Sequence, residues 1–223
     1  MNPDFLVERL IAAVLVILIS FPFHEFSHAL AAYRLGDATA KLMGRLTLNP
    51  IVHFDPLGGI LLIVSSLIGF GIGWAKPTPV NVANLQGGRS GDAIVAMSGP
   101  ISNLAIAIAV ALPLRFIEAS GMDVPPQLLN VMALFVWINI ALLLFNLLPI
   151  VPLDGSHVLF AMMSPATAWR YRPMLTQYGP IILLVAAFLP ILPGGNTVFG
   201  AVFTTIGEPI FELLVGREFF FWI

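Results

Sequence analysis

Apolar residues in this chain fall into long segments that are separated by short polar stretches. The segments span residues 5–33, 57–75, 92–117, 128–162, 176–193 and 197–215. Apolar runs of this length with so few charges predict helices that cross or enter a lipid bilayer. We therefore expect an all-α polytopic membrane protein, folded as a helical bundle.

Two features interrupt this helical pattern. The polar pieces "TAKLMGRLTL" and "TPVNVANL" alternate between apolar and polar residues, which predicts short β-strands at the membrane surface. The 57–75 segment is bounded by Pro56 and Pro77 and contains five glycines. Because it is short and rich in helix breakers, we expect it to be re-entrant or to lie on the membrane.

Composition supports the membrane assignment and narrows the function. The chain has 223 residues, of which 58% are hydrophobic and 10% charged, and its mean hydropathy is +0.95. A soluble domain would carry about 25% charged residues, so a soluble protein with an oversized core is disfavoured. The net charge is −2 without a basic block, which gives no electrostatic footprint for nucleic acid. We expect one domain over residues 1–223, with a core at 5–163 and accessory helices at 176–215.

The first apolar segment contains the stretch "HEFSH" at residues 24–28, in which ionisable side chains interrupt an apolar helix. The chain has no cysteine, so any metal must be held by His, Asp or Glu. His24 and His28 are four residues apart, which places them on one helical face where they can bind one Zn²⁺. Glu25 can then reach water on the metal as a general base. A hydrogen-bonded cluster inside the bundle is the alternative.

A catalytic zinc site needs a third protein ligand, and several residues are candidates. The most unusual setting is the segment "NLLPIVPLDGSHVLF" at 146–160, where Pro149 and Pro152 interrupt a long apolar helix just before Asp154. Alternatively, Asp154 is only the N-cap of the helix that follows. The candidates are His53, Asp55, Asp92, Asp154 and His157.

The ordered motifs "HEFSH", "SGPISNL" (98–104) and "NLLPIVPLDG" resemble the site-2 protease family of intramembrane zinc metalloproteases. The resemblance covers roughly residues 10–163 and is to the compact bacterial branch without a PDZ domain. It implies one zinc ion held by His24, His28 and Asp154, with Glu25 as the catalytic base. Asn146 matches a family position associated with the active site.

Depth in the membrane gives a separate test of this arrangement. If Asp154 and the histidines hold one ion, their helices must run in the same direction, so one full crossing separates them. We expect 92–117 to be that crossing. Most basic residues then share one side, which the positive-inside rule makes cytoplasmic, and the zinc lies toward that side. That side carries Arg34, Lys41, Arg45, Lys76, Arg89, Arg170 and Arg172, with Arg217 added if both C-terminal segments cross, whereas Arg9 and Arg115 lie opposite.

The predicted reaction is hydrolysis of a peptide bond in or near a transmembrane segment of another protein. A strand at 37–55 or 76–86 would either hold the extended substrate or cover the site. Asn146 would bind the oxyanion or the substrate backbone, or cap carbonyls freed by Pro149. His53 would assist the transition state or order its loop. His157, one turn after Asp154, would support that ligand or stay passive on the helix surface.

Two other classes of function compete with the protease. Intramembrane His, Glu and Asp also mark the ion paths of transporters, but the chain has no inverted repeat. A silent scaffold that binds transmembrane partners would not need Glu25. The sequence specifies neither the oligomeric state nor the individual substrate.

Overall fold

The computed structural model describes residues 3–67 and 73–216, which are predominantly helical. A π-helical turn at Val16–Ser20 joins the first two helices, and another at Phe203–Gly207 joins the last two. Short 3₁₀ turns lie at Val82–Asn84 and Pro193–Gly195. The helices are α1 (Pro3–Leu15), α2 (Phe21–Arg34), α3 (Thr39–Leu42), α4 (Pro50–His53), α5 (Pro56–Leu67), α6 (Arg89–Ser120), α7 (Pro126–Leu147), α8 (Asp154–Met162), α9 (Pro165–Phe188), α10 (Val198–Val202) and α11 (Glu208–Leu214).

Among the described residues, three helices are long and apolar enough to cross a membrane. They are Phe5–Arg34, in which α1 and α2 are continuous through the π turn, Arg89–Ser120 and Pro126–Leu147. A hydrocarbon core about 30 Å thick needs about 20 residues of helix. The predicted polytopic, all-α membrane fold is therefore confirmed.

Helix α6 is the centre of the bundle and packs against α2, α7 and α8. Its buried alanines, Ala107 and Ala111, lie in a core cluster with Val136 and Ile140 of α7 and Phe211 of α11. Small side chains let helix backbones approach closely, and dispersion contacts then hold them together inside the membrane. As a result α6 touches every helix that carries a residue of the predicted zinc site.

The chain returns after α5 to the residues that precede this helix, and we call residues 53–67 together with 73–76 the hairpin. The helix has 12 residues, too few for a span. The Lys76 N–H donates to the His53 carbonyl at 2.8 Å, so the chain comes back beside the start of α5. Close packing at Gly58 accompanies the return, because a Cβ there would lie 2.1 Å from the Trp74 carbonyl oxygen. This geometry agrees with the predicted re-entrant segment at 57–75, of which residues 68–72 lie outside the described part.

The predicted surface strand within 37–55 is wrong, since this stretch folds into two short helices. The Asp37 carboxylate accepts hydrogen bonds from the backbone and hydroxyl of Thr39, where α3 begins. The Asn49 side chain accepts from the Ile51 N–H at the start of α4, with Pro50 in the first turn. These local caps outweigh the weak alternation of apolar residues.

The predicted strand at 76–86 is also wrong, although part of the segment is extended. No β-strand forms in the described residues, where one isolated bridge joins Leu192 and Asn196. The Thr78 N–H donates to the Glu25 carboxylate and the Asn81 N–H to the Asp37 carboxylate. Because these donors are bound by side chains and the prolines in this segment lack an N–H, no ladder with another strand forms.

The apolar segment 128–162 is divided, as its prolines predict, into α7 and α8. Farther along, α9 begins at Pro165, earlier than the predicted accessory helix at 176. The Ser164 side chain accepts a hydrogen bond from the Thr167 N–H at 3.2 Å, and Pro165 suits a first helical turn. This cap starts the helix well before the apolar run, so the accessory region is longer than hydropathy indicates.

Arg217 is expected on the more positive side on the condition that both C-terminal segments cross the membrane. The Arg115 guanidinium donates to the Leu213 carbonyl at 2.9 Å, so the end of α11 lies beside the C-terminal end of α6. That end is opposite to the side that carries Arg89. Arg217 itself lies outside the described residues, and the basic residues on the more positive side number seven without it.

Candidate metal centre

Three predicted zinc ligands meet at one point in the bundle. The Nε2 atoms of His24 and His28 lie 3.0 Å apart. The Asp154 Oδ2 atom lies 3.3 Å from the first and 3.4 Å from the second. All three side chains are largely buried, with Asp154 the most exposed at 20%. The first span and the start of α8 therefore bring together the residues that the sequence placed far apart.

Both histidines are fixed through their other ring nitrogen by α6. The His24 Nδ1 lies 2.6 Å from Asn103 Oδ1, and the His28 Nδ1 lies 2.8 Å from the Val95 carbonyl oxygen. Since both partners are acceptors, each Nδ1 carries the proton and donates it. Each Nε2 is then a lone-pair donor, which is the form of histidine that binds a metal.

A chain of amides holds Asn103 in this orientation. Its Nδ2 donates to Asn139 Oδ1 at 3.1 Å, and Asn139 Nδ2 donates to the Phe135 carbonyl at 2.8 Å. Asn103 and Asn139 are both fully buried. The amide chain therefore settles which end of Asn103 faces His24, and it links the centre to α7.

Asp154 begins α8 but does not cap it. The N-cap position is occupied by Leu153, and no side-chain capping bond forms there. The Asp154 Oδ2 atom is buried and has no hydrogen-bond donor among the described residues. A buried carboxylate oxygen without a donor is costly unless a cation compensates it.

The donor set fits a zinc ion. Ligand atoms about 2.0–2.2 Å from a tetrahedral zinc are about 3.3–3.5 Å from one another. The three separations between 3.0 and 3.4 Å approximate these tetrahedral edges. Two imidazole nitrogens that are unprotonated in the neutral rings thus converge with one carboxylate oxygen, which is a donor set that suits a divalent cation.

Gly99 makes room for this convergence, a role that no pattern in the sequence predicted. A Cβ at this position would lie 2.4 Å from His28 Nε2 and 2.6 Å from His24 Nε2. Any side chain at position 99 would therefore contact the two ligand nitrogens. The signal in the sequence is the Gly99-Pro100 pair inside an apolar helix, whose meaning depends on the partner helix.

Glu25 lies beside the ligands in a buried position, 7% exposed. The Thr78 N–H donates to its Oε2 at 2.7 Å, and the Thr78 hydroxyl donates to its backbone carbonyl at 3.0 Å. Thr78 thus binds the returning segment (residues 73–81) to α2 at two points. No pattern in the sequence identified this residue as a partner of Glu25.

A cavity of about 550 Å³ contains the three ligands and Glu25. Its walls come from α2, α6, α7, α8 and the segment that follows α5. Asn146 lines it, although its Nδ2 donates to the Leu142 carbonyl at 3.0 Å within α7. Asp92 and His157 also line it and are paired, with the His157 Nδ1 2.8 Å from the Asp92 Oδ2.

The other two candidate ligands lie elsewhere. His53 is buried, its Nε2 lies 2.7 Å from the Thr47 carbonyl, and it is not among the residues that line the cavity. These contacts are those of a residue that orders its loop. Asp55 accepts from the Gly58 N–H at 2.9 Å at the start of α5. Both residues therefore belong to the hairpin.

Comparison with known proteins adds relatives of this chain. The model of Peptidase family M50 matches residues 113–193, which include Asp154 but not the stretch around His24. The chain is 36% identical over 212 residues to "Putative zinc metalloprotease YwhC" of Bacillus subtilis, an alignment that covers 88% of this chain and 93% of the relative. No solved structure matches the chain.

Two mycobacterial proteins with the same description, both named Rip2, are also similar. The protein from Mycolicibacterium smegmatis is 31% identical over 175 residues, covering 78% of this chain and 66% of the relative. The protein from Mycobacterium tuberculosis strain H37Rv is 30% identical over 188 residues, covering 83% of this chain and 69% of the relative.

Proposed function

Because the chain belongs to peptidase family M50, the site-2 proteases, we propose that it cleaves peptide bonds within or near transmembrane segments of other membrane proteins. Membership makes it a membrane zinc metalloendopeptidase of multi-pass topology. The proposal adds the substrate class, the roles of individual residues and the side of the membrane.

One observation carries the proposal: the ligand atoms of His24, His28 and Asp154 converge within 3.4 Å in a cavity that Glu25 also lines. These three residues would hold the zinc. Its chemistry when bound is to polarise the scissile carbonyl and to lower the pKa of water. The fourth position of such a site is left to the reactants.

Glu25 is the proposed general base. It takes a proton from the attacking water, whose oxygen forms a bond to the carbonyl carbon. When the carbon–nitrogen bond breaks, Glu25 passes a proton to the leaving amine. The bond from the Thr78 N–H fixes one carboxylate oxygen and therefore the direction in which the carboxylate faces.

Asn146 lies in the cavity wall and is the proposed contact for the substrate backbone or the oxyanion. One of its two N–H groups donates to the Leu142 carbonyl, which leaves the other for the substrate. For His53, its position in the hairpin favours a role in ordering the loop over a role in the transition state.

A helical substrate hides its scissile carbonyls in backbone hydrogen bonds, so it must unwind before cleavage. Trp74, Ala75, Pro77 and Thr78 of the returning segment line the cavity. Because this segment is bound to Glu25 rather than paired as a strand, we assign it as the cover of the site.

We place the active site toward the cytoplasmic side. Chain direction supports this, since α5 is too short to span and α6 is the crossing that separates the first span from α7. Without Arg217, the basic residues then divide seven to two in favour of the side of Arg89. The positive-inside rule makes that side cytoplasmic.

Zinc stoichiometry of the detergent-purified protein tests the metal site first. We expect about one zinc per chain in the wild type and in Glu25→Gln, and loss of zinc in His28→Ala and Asp154→Ala. Loss in His28→Ala alone would reject Asp154 as the third ligand. A wild type that holds no zinc without chelator present would remove the basis for catalysis.

Cleavage tests the reaction. The probe is an apolar peptide of about 20 residues with a helix-breaking centre and a fluorophore–quencher pair, incorporated into detergent micelles. Wild type is expected to cleave it and Glu25→Gln to retain zinc without cleaving. Mass spectrometry of the products locates the bond. Equal cleavage by both proteins would refute the role of Glu25.

A further inference from the structure

A second polar pair, Asp92 and His157, lies in the cavity of the proposed protease site. The His157 Nδ1 and the Asp92 Oδ2 are 2.8 Å apart. Asp92 is 8% exposed, whereas the His157 side chain is 38% exposed. The pair therefore has a buried, fixed end and an end that reaches open space.

Both members are placed beside the zinc ligands by their own helices. His157 follows Asp154 by three residues on α8, so the two share a helical face. Asp92 precedes Val95 by three residues on α6, and the Val95 carbonyl binds His28. Two independent elements thus direct the pair toward the same cavity that contains Glu25.

The pairing determines which nitrogen of His157 can meet a substrate. An ionised carboxylate only accepts hydrogen bonds, so Nδ1 must donate its proton to Asp92. Nε2 has no hydrogen bond to any described residue. An N–H at Nε2 is the kind of donor that stabilises a developing oxyanion.

The cavity otherwise offers few donors for that oxygen. The amide of Asn146 donates one of its two N–H groups to the Leu142 carbonyl, and the Thr78 N–H already donates to Glu25. Thr78 therefore has no donor left, Asn146 keeps one N–H on a side chain already bound to its own helix, and His157 has its outward Nε2 without a partner among the described residues.

We propose that His157 is a catalytic residue that donates a hydrogen bond from Nε2 to the substrate carbonyl oxygen as negative charge develops on it. Asp92 is its positioning residue. The bond is made in the transition state, and the proton stays on the ring. This inference rests on the proposed protease function.

Binding of two matched peptides to zinc-loaded protein tests it. One is an apolar phosphinic peptide, whose tetrahedral anionic centre imitates the intermediate. The other is the same sequence with the ordinary amide, measured in the Glu25→Gln background so that it is not cleaved. A group that acts in the transition state contributes to the first affinity and not to the second.

We expect His157→Ala to weaken phosphinic-peptide binding about 10- to 100-fold, with amide-peptide binding and zinc content unchanged. His157→Gln, which keeps an N–H donor, should lose less of the phosphinic-peptide affinity. Asp92→Asn should also bind the phosphinic peptide more weakly than wild type. Met162→Ala is the control, because Met162 is on the same helix, 82% exposed and outside the cavity.

Two results would overturn the role of His157. One is unchanged phosphinic-peptide affinity in His157→Ala and His157→Gln with zinc retained. The other is loss of zinc, or equal weakening of both peptides, which would make the pair a support for α8. A zinc-loaded wild type that binds the phosphinic peptide no better than the amide would instead refute the protease proposal itself.

Discussion

Asn103 on α6 and His24 on α2 are joined by a hydrogen bond of 2.6 Å, although 79 positions separate them in the chain. The bond fixes the tautomer of His24, because the Asn103 oxygen can only accept. In the neutral ring this tautomer leaves the nitrogen that faces Asp154 without a proton, so the metal centre depends on a neutral amide that is not itself a ligand.

Replacing Asn103 should weaken zinc binding without removing a ligand. In Asn103→Ala the His24 ring loses its acceptor, and we expect zinc affinity to fall about 10- to 100-fold. Competition with a chromogenic chelator measures this. Ser102→Ala is the matched control, since Ser102 is the neighbouring residue and bonds only to the Gly99 carbonyl of its own helix. Equal affinities in the two variants would contradict the role of Asn103.

Gly99→Ala should block the zinc site by direct contact. The added Cβ would lie 2.4–2.6 Å from the Nε2 atoms of His28 and His24, closer than van der Waals contact allows. We expect zinc content well below one per chain in a protein that still elutes as a folded species. Ala105→Val adds carbon to an exposed position of the same helix and should bind zinc normally. Full zinc in Gly99→Ala would show that α6 can shift away.

Thr78 offers two variants that separate its two bonds to Glu25. Thr78→Ala keeps the N–H that binds the carboxylate and loses the hydroxyl bond, whereas Thr78→Pro removes the N–H. We expect both to retain zinc. Cleavage of the quenched peptide should fall about 100-fold in Thr78→Pro, because a misdirected base is inefficient, and much less in Thr78→Ala.

The relative cleavage rates of these two variants decide which bond matters. If Thr78→Ala is as impaired as Thr78→Pro, the hydroxyl and not the N–H fixes the segment. A faster Thr78→Pro would mean that the segment restrains the enzyme as a cover and that its bond to Glu25 is inhibitory.

Asp37 should stabilise the protein only while it is ionised. It is fully buried, and burial disfavours its charge, but hydrogen bonds from Thr39, Asn81 and Asn84 outweigh this and lower the pKa of Asp37. A lowered folded-state pKa contributes stability above the unfolded pKa, and this contribution is lost as pH falls through the folded pKa.

Asp37→Asn should therefore lower Tm at neutral pH by about 3–8 °C, measured in detergent. The difference from wild type should shrink as the pH is lowered below about 4, where unfolded Asp titrates. Asp123→Asn, at an exposed position, is the control and should have the same Tm as wild type. A Tm difference between Asp37→Asn and wild type that does not change with pH would mean that the shape of the Asp37 side chain matters and its charge does not.

Local pattern was sufficient for much of the fold and half of the site. The spans follow from the length of their apolar runs, and the division of 128–162 follows from Pro149 and Pro152. His24 and His28 share a face because four residues make about one helical turn. Glu25 is adjacent to them for the same reason. Each of these relationships lies within a few residues of chain, where helix geometry fixes the distances.

Local pattern misled where polar side chains compete for the backbone. The alternation in 37–55 and 76–86 predicted strands, but Asp37, Asn49 and Glu25 bind the N–H groups that a sheet would need. Glu25 and Asp37, which bind the N–H groups of Thr78 and Asn81, lie outside 76–86, so no window of sequence around 76–86 contains the cause.

The sequence by itself determined a polytopic helical protein with a histidine pair and a buried glutamate suited to zinc. Only the tertiary structure brought Asp154, among the candidate third ligands, to within 3.4 Å of both histidines and left His53 in the hairpin. It also gave Gly99 and Asn103 their roles. The reason is physical: helix periodicity fixes spacing within a turn, whereas contacts between α2, α6 and α8 depend on packing between distant segments.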